Sequence, residues 1–260
     1  MIFDSHTHLD DNAYDTDRDD VISSLLQNGV GLVVNCGADM ATSASSVALA
    51  AKYPHVYAAV GVHPHDSKDM VEEDIATLRK YYLGSNKVKA IGEIGLDYHY
   101  DNSPREIQRY WFEKQMELAY ELSAPVVLHV REAFGDAMDI IRRYKGKIEK
   151  AVLHCCSASV EIACECVDYG YYMGIGGAVT FKSAAKVKEV VRAIPKERIL
   201  LETDCPYMTP LPYSRRDRNE PKYSAYSARV IGEILGISGE EVESITYANA
   251  CKFFNITDGL

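Results

Sequence analysis

The chain has 260 residues, of which 47% are hydrophobic and 25% are charged, and its formal net charge at neutral pH is −10. No stretch approaches the roughly 20 apolar residues of a membrane-spanning helix and no apolar leader comes first, so we expect a cytoplasmic protein without a membrane segment. The acidic charge argues against broad nonspecific binding of nucleic acid. It permits a local basic patch, or a site where metal ions supply positive charge.

Eight short apolar runs alternate with segments of helical periodicity along the whole chain. Because parallel strands buried on both faces are nearly continuous in apolar residues, these runs predict a parallel sheet. The predicted strands are Met1–Phe3, Gly31–Asn35, Val56–Gly61, Val88–Gly92, Val126–His129, Ala151–His154, Tyr171–Ile175 and Ile199–Glu202.

Two of the predicted helices have clear signals. The first, over residues 15–29, has an apolar face of Val21, Ile22, Leu25 and Leu26 and is predicted to end at Gly29.

In the fourth helix, Ser103 is the predicted N-cap, Pro104 suits the first turn and Glu106 completes a capping box. Its predicted inward stripe is Ile107, Trp111, Leu118 and Leu122.

Eight β-then-α units match the number that closes a (β/α)8 barrel. A doubly wound open sheet is the alternative, but no glycine-rich dinucleotide-binding loop follows the first strand. We therefore predict an α/β fold, a (β/α)8 TIM barrel, with two C-terminal helices from about Tyr223 onward packed outside it. Since no linker or repeat indicates a second domain, residues 1–260 are predicted to form a single domain.

Residues of metal-ligand type follow five of the predicted strands. In a (β/α)8 barrel the active site lies where the strands end, at the C-terminal mouth. Side chains alternate along a strand, so His6 and His8 share a face while Thr7 points away, and two imidazoles on that face can bind one ion. The candidate metal ligands are His6, His8, Glu93, His129, His154 and Asp204.

Four histidines and two carboxylates exceed what one tetrahedral zinc ion with an open position needs. They suit two divalent ions about 3.5–4 Å apart, which lower the pKa of a bridging water to give hydroxide and stabilise the entering and leaving oxygens of a displacement. Asp204 is a predicted catalytic residue as proton acceptor, and Glu93 is one as the bridge between the ions. The assignment places His6, His8 and Asp204 on one ion, and His129 and His154 on the other.

Seven motifs follow one another in order: "FDSHTHLD", "GVHPHD", "GEIGLDY", "SPREIQ", "LHVRE", "LLETDCPY" and "RNEP". This series resembles the TatD family of metal-dependent deoxyribonucleases, within the amidohydrolase-like barrel enzymes, from Ile2 to about Phe254. The resemblance implies a two-metal phosphodiesterase that uses Mg²⁺, Mn²⁺ or Zn²⁺, and the family's ligand pattern falls on the same six residues. Cys156, Ala158 and Arg216 depart from the family's motifs, which have Phe, Gly and Gly there.

Three residues are predicted to bind substrate. His63 ends the third strand and is placed either against a substrate phosphate or in a hydrogen bond to a nearby loop. Arg131 follows His129 by two residues, and its guanidinium either clamps a phosphate or pairs with an acid such as Glu132. Arg218 belongs to a cluster with Arg215 and Arg216 that suits a nucleic-acid backbone, the alternative being a solvated loop paired with Asp217 and Glu220.

Other residues near the predicted mouth have weaker signals. Glu202 precedes Asp204 by two and is expected to share its face, either orienting a ligand or pairing with a barrel cation. Tyr207 is a candidate for lining the mouth, and His65 is expected at the surface or behind the ligands. The adjacent Cys155 and Cys156 are predicted to point to opposite faces of a strand, so they cannot chelate together.

The leading hypothesis is a hydrolase that cleaves phosphodiester bonds in DNA, single-stranded or at ends, with metal-activated hydroxide. The alternative keeps the metal site and attacks a carbonyl, as an acyl or ester hydrolase such as an aminoacyl-tRNA deacylase does. A non-catalytic metal-binding protein is disfavoured, because such a role needs fewer ligands in a closed site. We expect a monomer, and four imidazoles with two carboxylates leave zinc, manganese and magnesium open.

Overall fold

The computed structural model describes residues 1–257, and eight parallel strands form one sheet in the order β1 to β8. An isolated parallel bridge between Thr7 and Cys205 joins the end of the first strand to the segment after the last. The strands alternate with helices, which confirms the predicted (β/α)8 barrel. Their bounds are β1 Ile2–Thr7, β2 Val30–Cys36, β3 Val56–Val60, β4 Val88–Asp97, β5 Val126–Arg131, β6 Ala151–Leu153, β7 Tyr172–Ile175 and β8 Ile199–Leu201.

Nine α-helices lie among residues 1–257, and the last two confirm the predicted C-terminal pair. None of the helices in this part of the chain is long and apolar enough to cross a membrane. The helices are α1 Arg18–Ser23, α2 Met40–Lys52, α3 Glu72–Gly84, α4 Arg105–Leu122, α5 Phe134–Arg143, α6 Val160–Asp168, α7 Ala185–Ala193, α8 Ser224–Leu235 and α9 Gly239–Phe253.

The described chain forms two compact units. Unit 1 contains Met1–Asn35, Cys155–Asp168 and the chain from Tyr172 onward, and unit 2 contains Cys36–His154 with Tyr169–Tyr171. The single domain over residues 1–260 stays a prediction, and residues 258–260 lie outside the described part.

Within unit 1, α9 packs against the barrel strands. Phe254, just after α9, stacks on Phe3 of β1 with ring centroids 5.7 Å apart, and Phe253 meets Tyr172 of β7 at 5.3 Å. Asn249 donates from Nδ2 to the backbone carbonyl of Ile199 at 2.9 Å. Burial of these rings gives the C-terminal helices their place outside the strands, as predicted.

The first helix is shorter than predicted. It ends at Ser23, and the following residues form turns up to Gly29, which has a left-handed φ of 79°. Val21 and Ile22 lie in the core, whereas Leu26, predicted to face inward, is 54% exposed because the helical periodicity does not extend to it.

The predicted start of α4 is wrong by one residue. Pro104 is the N-cap, and no side chain caps the helix. The hydroxyl of Ser103 donates instead to the carbonyl of His65 at 2.7 Å and accepts from the N–H of Lys68 at 3.1 Å, so it is not free to cap. The capping box with Glu106 is therefore absent.

The buried face of α4 contains two glutamines that the apolar stripe did not predict, while Ile107 and Leu122 are only half-buried. Gln115 accepts from the N–H of Val62 at 2.8 Å and donates to its carbonyl at 3.0 Å. Gln108 accepts from the N–H of Asp97 at 2.9 Å and donates to its carbonyl at 3.1 Å. Each amide thus replaces the backbone partner that β3 or β4 lacks at its carboxyl end.

We predict that Gln115→Ala lowers the free energy of unfolding by about 2–4 kcal/mol, because it leaves a buried N–H and a buried carbonyl of Val62 unpaired. Urea unfolding followed by circular dichroism measures the change. Glu117→Ala, an exposed position on the same helix, is the control. Equal unfolding midpoints for the two variants would contradict this role.

Candidate metal centre

Three of the predicted ligands lie together in unit 1. His6 is buried in β1, and its Nε2 lies 3.2 Å from Nε2 of His8, while Thr7 points away and donates to the carbonyl of Val34 at 3.0 Å. Oδ1 of Asp204 lies 3.8 Å from Nε2 of His6 and 3.4 Å from Nε2 of His8. The strand alternation expected for the His-x-His motif is therefore present, with a carboxylate beside it.

Backbone contacts fix the position of Asp204 beside these imidazoles. Its N–H donates to the carbonyl of His6 at 3.0 Å, and the N–H of His8 donates to the carbonyl of Cys205 at 2.8 Å. Asp204 has a left-handed φ of 59°, so its side chain leaves the alternation of β8, which ends at Leu201. Glu202 nevertheless faces the same imidazole, since ligand atoms of His6 and Glu202 lie within 4.8 Å of each other, as the predicted shared face requires.

A buried carboxylate stabilises the chain just before Asp204. Asp4 accepts from the N–H of Thr203 at 2.9 Å and from its hydroxyl at 2.5 Å. Burial raises the pKa of Asp4 well above its usual value. Asn219 of the "RNEP" motif donates to the carbonyls of Thr203 at 3.0 Å and Tyr207 at 2.6 Å, which explains why that motif accompanies the last strand.

The other predicted ligands lie around one carboxylate in unit 2. Oε1 of Glu93 is 2.7 Å from Nδ1 of His129, 3.1 Å from Nε2 of His154 and 3.5 Å from Nε2 of His63. Glu93 is buried in the middle of β4, which runs to Asp97 rather than ending at the predicted Gly92.

This cluster has the donors and spacing of a divalent metal site. One ligand atom each from His63, Glu93 and His129 lies within 4.8 Å of the other two. Burial, followed by the neighbouring imidazole of His129, holds the pKa of His63 well below its usual value, so this ring is neutral and has a lone pair to offer. Two imidazoles and a carboxylate suit zinc or another transition ion and also accept manganese.

Asp97 is a residue of the candidate site that the sequence reasoning missed. Its carboxylate is fully buried, and Oδ2 lies 3.1 Å from Nε2 of His129 and 3.0 Å from Nε2 of His65. Since Nδ1 of His129 faces Glu93, Asp97 holds the far side of that ring, as carboxylates behind metal-binding histidines do. The available signal was its place in "GEIGLDY", four residues after Glu93.

The charges around Asp97 shift two pKa values in opposite directions. Burial alone would raise the pKa of Asp97, but contacts with His129, the Tyr100 N–H and His65 lower it. Burial alone would lower the pKa of His129, but its contacts with Asp97 and Glu93 raise it. The ring of His129 is therefore held between two carboxylates and made more basic by them.

The side chain of His63 lies in the cluster around Glu93. Its Nδ1 accepts the N–H of His65 at 3.1 Å, which leaves Nε2 facing Glu93. The predicted hydrogen bond to a nearby loop is therefore present on one nitrogen, and it orients the other nitrogen toward the site. A contact of His63 with substrate stays a prediction.

Arg131 does not pair with Glu132, whose Oε1 lies 2.8 Å from Nδ1 of His99 instead. Within residues 1–257 no carboxylate lies within ion-pair distance of the Arg131 guanidinium. The guanidinium carbon lies 4.8 Å from the centroid of the Tyr100 ring. The positive charge predicted to clamp a phosphate thus has no acidic partner in the described chain.

The three arginines of the predicted cluster have different surroundings. Arg218 makes a two-point ion pair with Asp17 at 2.6 and 2.7 Å and reaches Glu220 at 3.2 Å. The Asp17 hydrogen bond raises the pKa of Arg218, which stays fully charged. Arg215 lies over the Phe181 ring at 3.9 Å, and Arg216 is exposed. Substrate binding by Arg218 stays a prediction, since any phosphate competes there with two carboxylates.

Tyr207 is 54% exposed, and its ring centroid lies 6.2 Å from that of His8 while its hydroxyl donates to Asp11 at 2.8 Å. The candidate for lining the mouth therefore lies next to a predicted ligand of unit 1.

The cysteine pair occupies a turn and not a strand. Strand β6 ends at Leu153, and Cys155 has a left-handed φ of 44°. Its N–H donates to Oε1 of Glu202 at 2.6 Å, a partner for Glu202 that the sequence did not predict. Cys156 is buried, with Sγ 3.6 Å from Sδ of Met173, and Ala158 is buried as well. These two departures from the family's motifs thus lie in the buried interior.

Comparison with known proteins decides the family. The family model described as TatD-related DNase matches residues 3–255. The chain belongs to the TatD family. It is 43% identical to the metal-dependent hydrolase YabD of Bacillus subtilis, over 98% of this chain and 100% of that protein. It is 33% identical to the 3'-5' ssDNA/RNA exonuclease TatD of Citrobacter rodentium, over 98% of each chain.

The fold comparison agrees with the sequence comparison. The crystal structure of YjjV, a TatD homologue from Escherichia coli, superposes with a TM-score of 0.91 at 29% identity and covers 98% of each chain. The resemblance seen in the seven motifs is confirmed, and this TatD-family protein is a metal-dependent hydrolase.

We predict that Asp97→Asn weakens metal binding by about 10- to 100-fold, because an amide no longer supplies the charge that makes His129 a stronger ligand. Isothermal titration of metal-free protein with Zn²⁺ and Mn²⁺ measures the change. Asp136→Asn is the control, since that carboxylate contacts only Tyr98 and Arg109 in unit 2. Equal metal affinities in both variants would remove Asp97 from the site.

Proposed function

We propose that this protein hydrolyses phosphodiester bonds in single-stranded nucleic acid, with DNA as the first substrate to test. The observation that carries the proposal is the Glu93 carboxylate, buried among the imidazoles of His63, His129 and His154. The Citrobacter relative is named a 3'-5' ssDNA/RNA exonuclease, and this name supports the choice of a phosphodiester bond and of a single-stranded substrate.

The proposed ligands are the six that the sequence predicted. The short distances within each cluster support an ion in unit 1 and an ion in unit 2, and the bridging role of Glu93 stays a prediction from the sequence. One ion is assigned to His6, His8 and Asp204, and the other to His129 and His154.

When bound, the two ions supply positive charge that acidifies an attacking water and stabilises the charge that develops on the phosphate. The carboxylate of Asp204 accepts the proton that this water loses. Arg131, which has no acidic partner among residues 1–257, binds a non-bridging phosphate oxygen through its guanidinium. Asp97 keeps His129 in one orientation throughout, so the ligand needs no rearrangement as charge develops.

The test removes the metal from the protein with a chelator and supplies labelled single-stranded DNA, matched duplex and RNA. Mg²⁺, Mn²⁺ or Zn²⁺ is then added back in turn. We expect cleavage of the single strand with at least one ion and slower cleavage of the duplex. No phosphodiester cleavage with any ion, together with hydrolysis of an aminoacyl ester, would replace this function with the acyl hydrolase.

We predict that Glu93→Gln lowers the bound metal by about one ion per chain and reduces DNA hydrolysis by orders of magnitude, because the amide keeps the shape but loses the charge that offsets the cations. Metal content by mass spectrometry, melting temperature and hydrolysis are measured beside the parent. The melting temperature of the metal-free protein should not fall. Near-normal hydrolysis with the full metal content would contradict the role of Glu93.

A further inference from the structure

The segment after β4 presents an aromatic ring to solvent beside the ligand cluster of unit 2. Tyr100 is 54% exposed, and its ring meets that of His65 edge-on at 5.3 Å between centroids and that of His99 at 4.8 Å. His65 in turn contacts His63 at 4.3 Å. The ring of His65 also lies 6.3 Å from the ring of His129, so an exposed aromatic ring is separated from a proposed metal ligand by one side chain.

The same carboxylate that orients His129 also fixes Tyr100. Oδ1 of Asp97 accepts the N–H groups of His99 and Tyr100, each at 2.9 Å, while Oδ2 faces His129 and His65. An Asp side chain that binds the backbone two and three residues later stabilises a tight turn. The backbone of Tyr100 is therefore held in a defined position with respect to His129.

Arg131 completes the feature. Its guanidinium carbon lies 4.8 Å from the Tyr100 ring centroid, and within residues 1–257 it has neither an ion pair nor a side-chain hydrogen bond. By contrast, the exposed Tyr110 donates its hydroxyl to Glu72, and Arg109 pairs with Asp136. Unlike these residues, within residues 1–257 Tyr100 makes no hydrogen bond through its hydroxyl and Arg131 makes no ion pair.

We propose that Tyr100 and Arg131 form a nucleotide subsite, in which an unpaired base stacks on the Tyr100 ring and the guanidinium binds a phosphate of the same strand. This proposal rests on the proposed function, and it names the part of the substrate that the site recognises. Aromatic rings stack on every base, and arginine binds phosphate oxygens through paired N–H donors. A base within a duplex is already stacked and paired, so the subsite selects single strands or frayed ends.

The test measures binding apart from cleavage. Parent, Tyr100→Ala and Tyr100→Phe proteins, all loaded with the ion that supports cleavage best or with Mn²⁺ if none does, are titrated against a labelled oligothymidylate with cleavage-resistant phosphorothioate links. A second oligonucleotide lacks the bases of its 3′-terminal nucleotides. The matched control is Tyr120→Ala, because Tyr120 is also an exposed tyrosine but lies on α4, outside the proposed subsite.

We expect Tyr100→Ala to weaken binding of the intact oligonucleotide by about 10- to 100-fold, as removal of one stacking aromatic does. Tyr100→Phe keeps the ring and binds like the parent, and Tyr120→Ala is unchanged. Removal of the terminal bases should weaken oligonucleotide binding by the parent by a similar factor and should leave binding by Tyr100→Ala unchanged. The KM for unmodified single-stranded DNA should rise in Tyr100→Ala in the same proportion, with kcat changing less.

The subsite is overturned if Tyr100→Ala binds the intact strand as the parent does, or if it still discriminates against the base-free strand. Base-dependent binding through Tyr100 without any phosphodiester cleavage would overturn the proposed function and leave the subsite standing. Cleavage by the parent with no effect of Tyr100 would do the reverse.

Discussion

The buried carboxylate of Asp97 is the interaction on which the candidate site of unit 2 depends. Burying a charged carboxylate costs free energy unless hydrogen-bond donors replace the water around it. Here two imidazole nitrogens and two backbone N–H groups approach its oxygens within 2.9–3.1 Å, and Gln108 binds its backbone. Because these donors belong to His129, His65 and the turn containing Tyr100, one carboxylate fixes a proposed metal ligand and the neighbouring surface together.

The barrel could be predicted from the sequence because its signal is repeated. Eight apolar runs each needed burial on two faces, and an error of a few residues in any one of them left the alternation with helices intact. The clustering of the candidate ligands could be predicted for the same reason, since His6, His8, His129 and His154 lie at or directly after the carboxyl ends of strands. Glu93 was found although its strand continues to Asp97.

Polar residues with buried roles could not be predicted from periodicity. Gln108 and Gln115 interrupt the apolar stripe of α4, and a pattern of hydrophobic spacing counts them as outward-facing. Their function becomes visible only when the ends of β3 and β4 lie beside the helix and need hydrogen-bond partners. The N-cap prediction for Ser103 was wrong for a related reason, because a hydroxyl that can cap a helix can also donate to a loop carbonyl, here that of His65.

The two arginines predicted to bind phosphate show how an acidic protein controls where positive charge is available. Asp17, distant in sequence, binds Arg218 at two points, so that guanidinium contributes mainly to holding the chain after β8. Glu132, adjacent to Arg131, instead contacts His99, and Arg131 keeps its charge available over Tyr100. With a net charge of −10, most cations near the surface are expected to find acids. A guanidinium that has no acidic partner and lies near buried candidate metal ligands is therefore stronger evidence for an anionic substrate than the number of arginines in a motif.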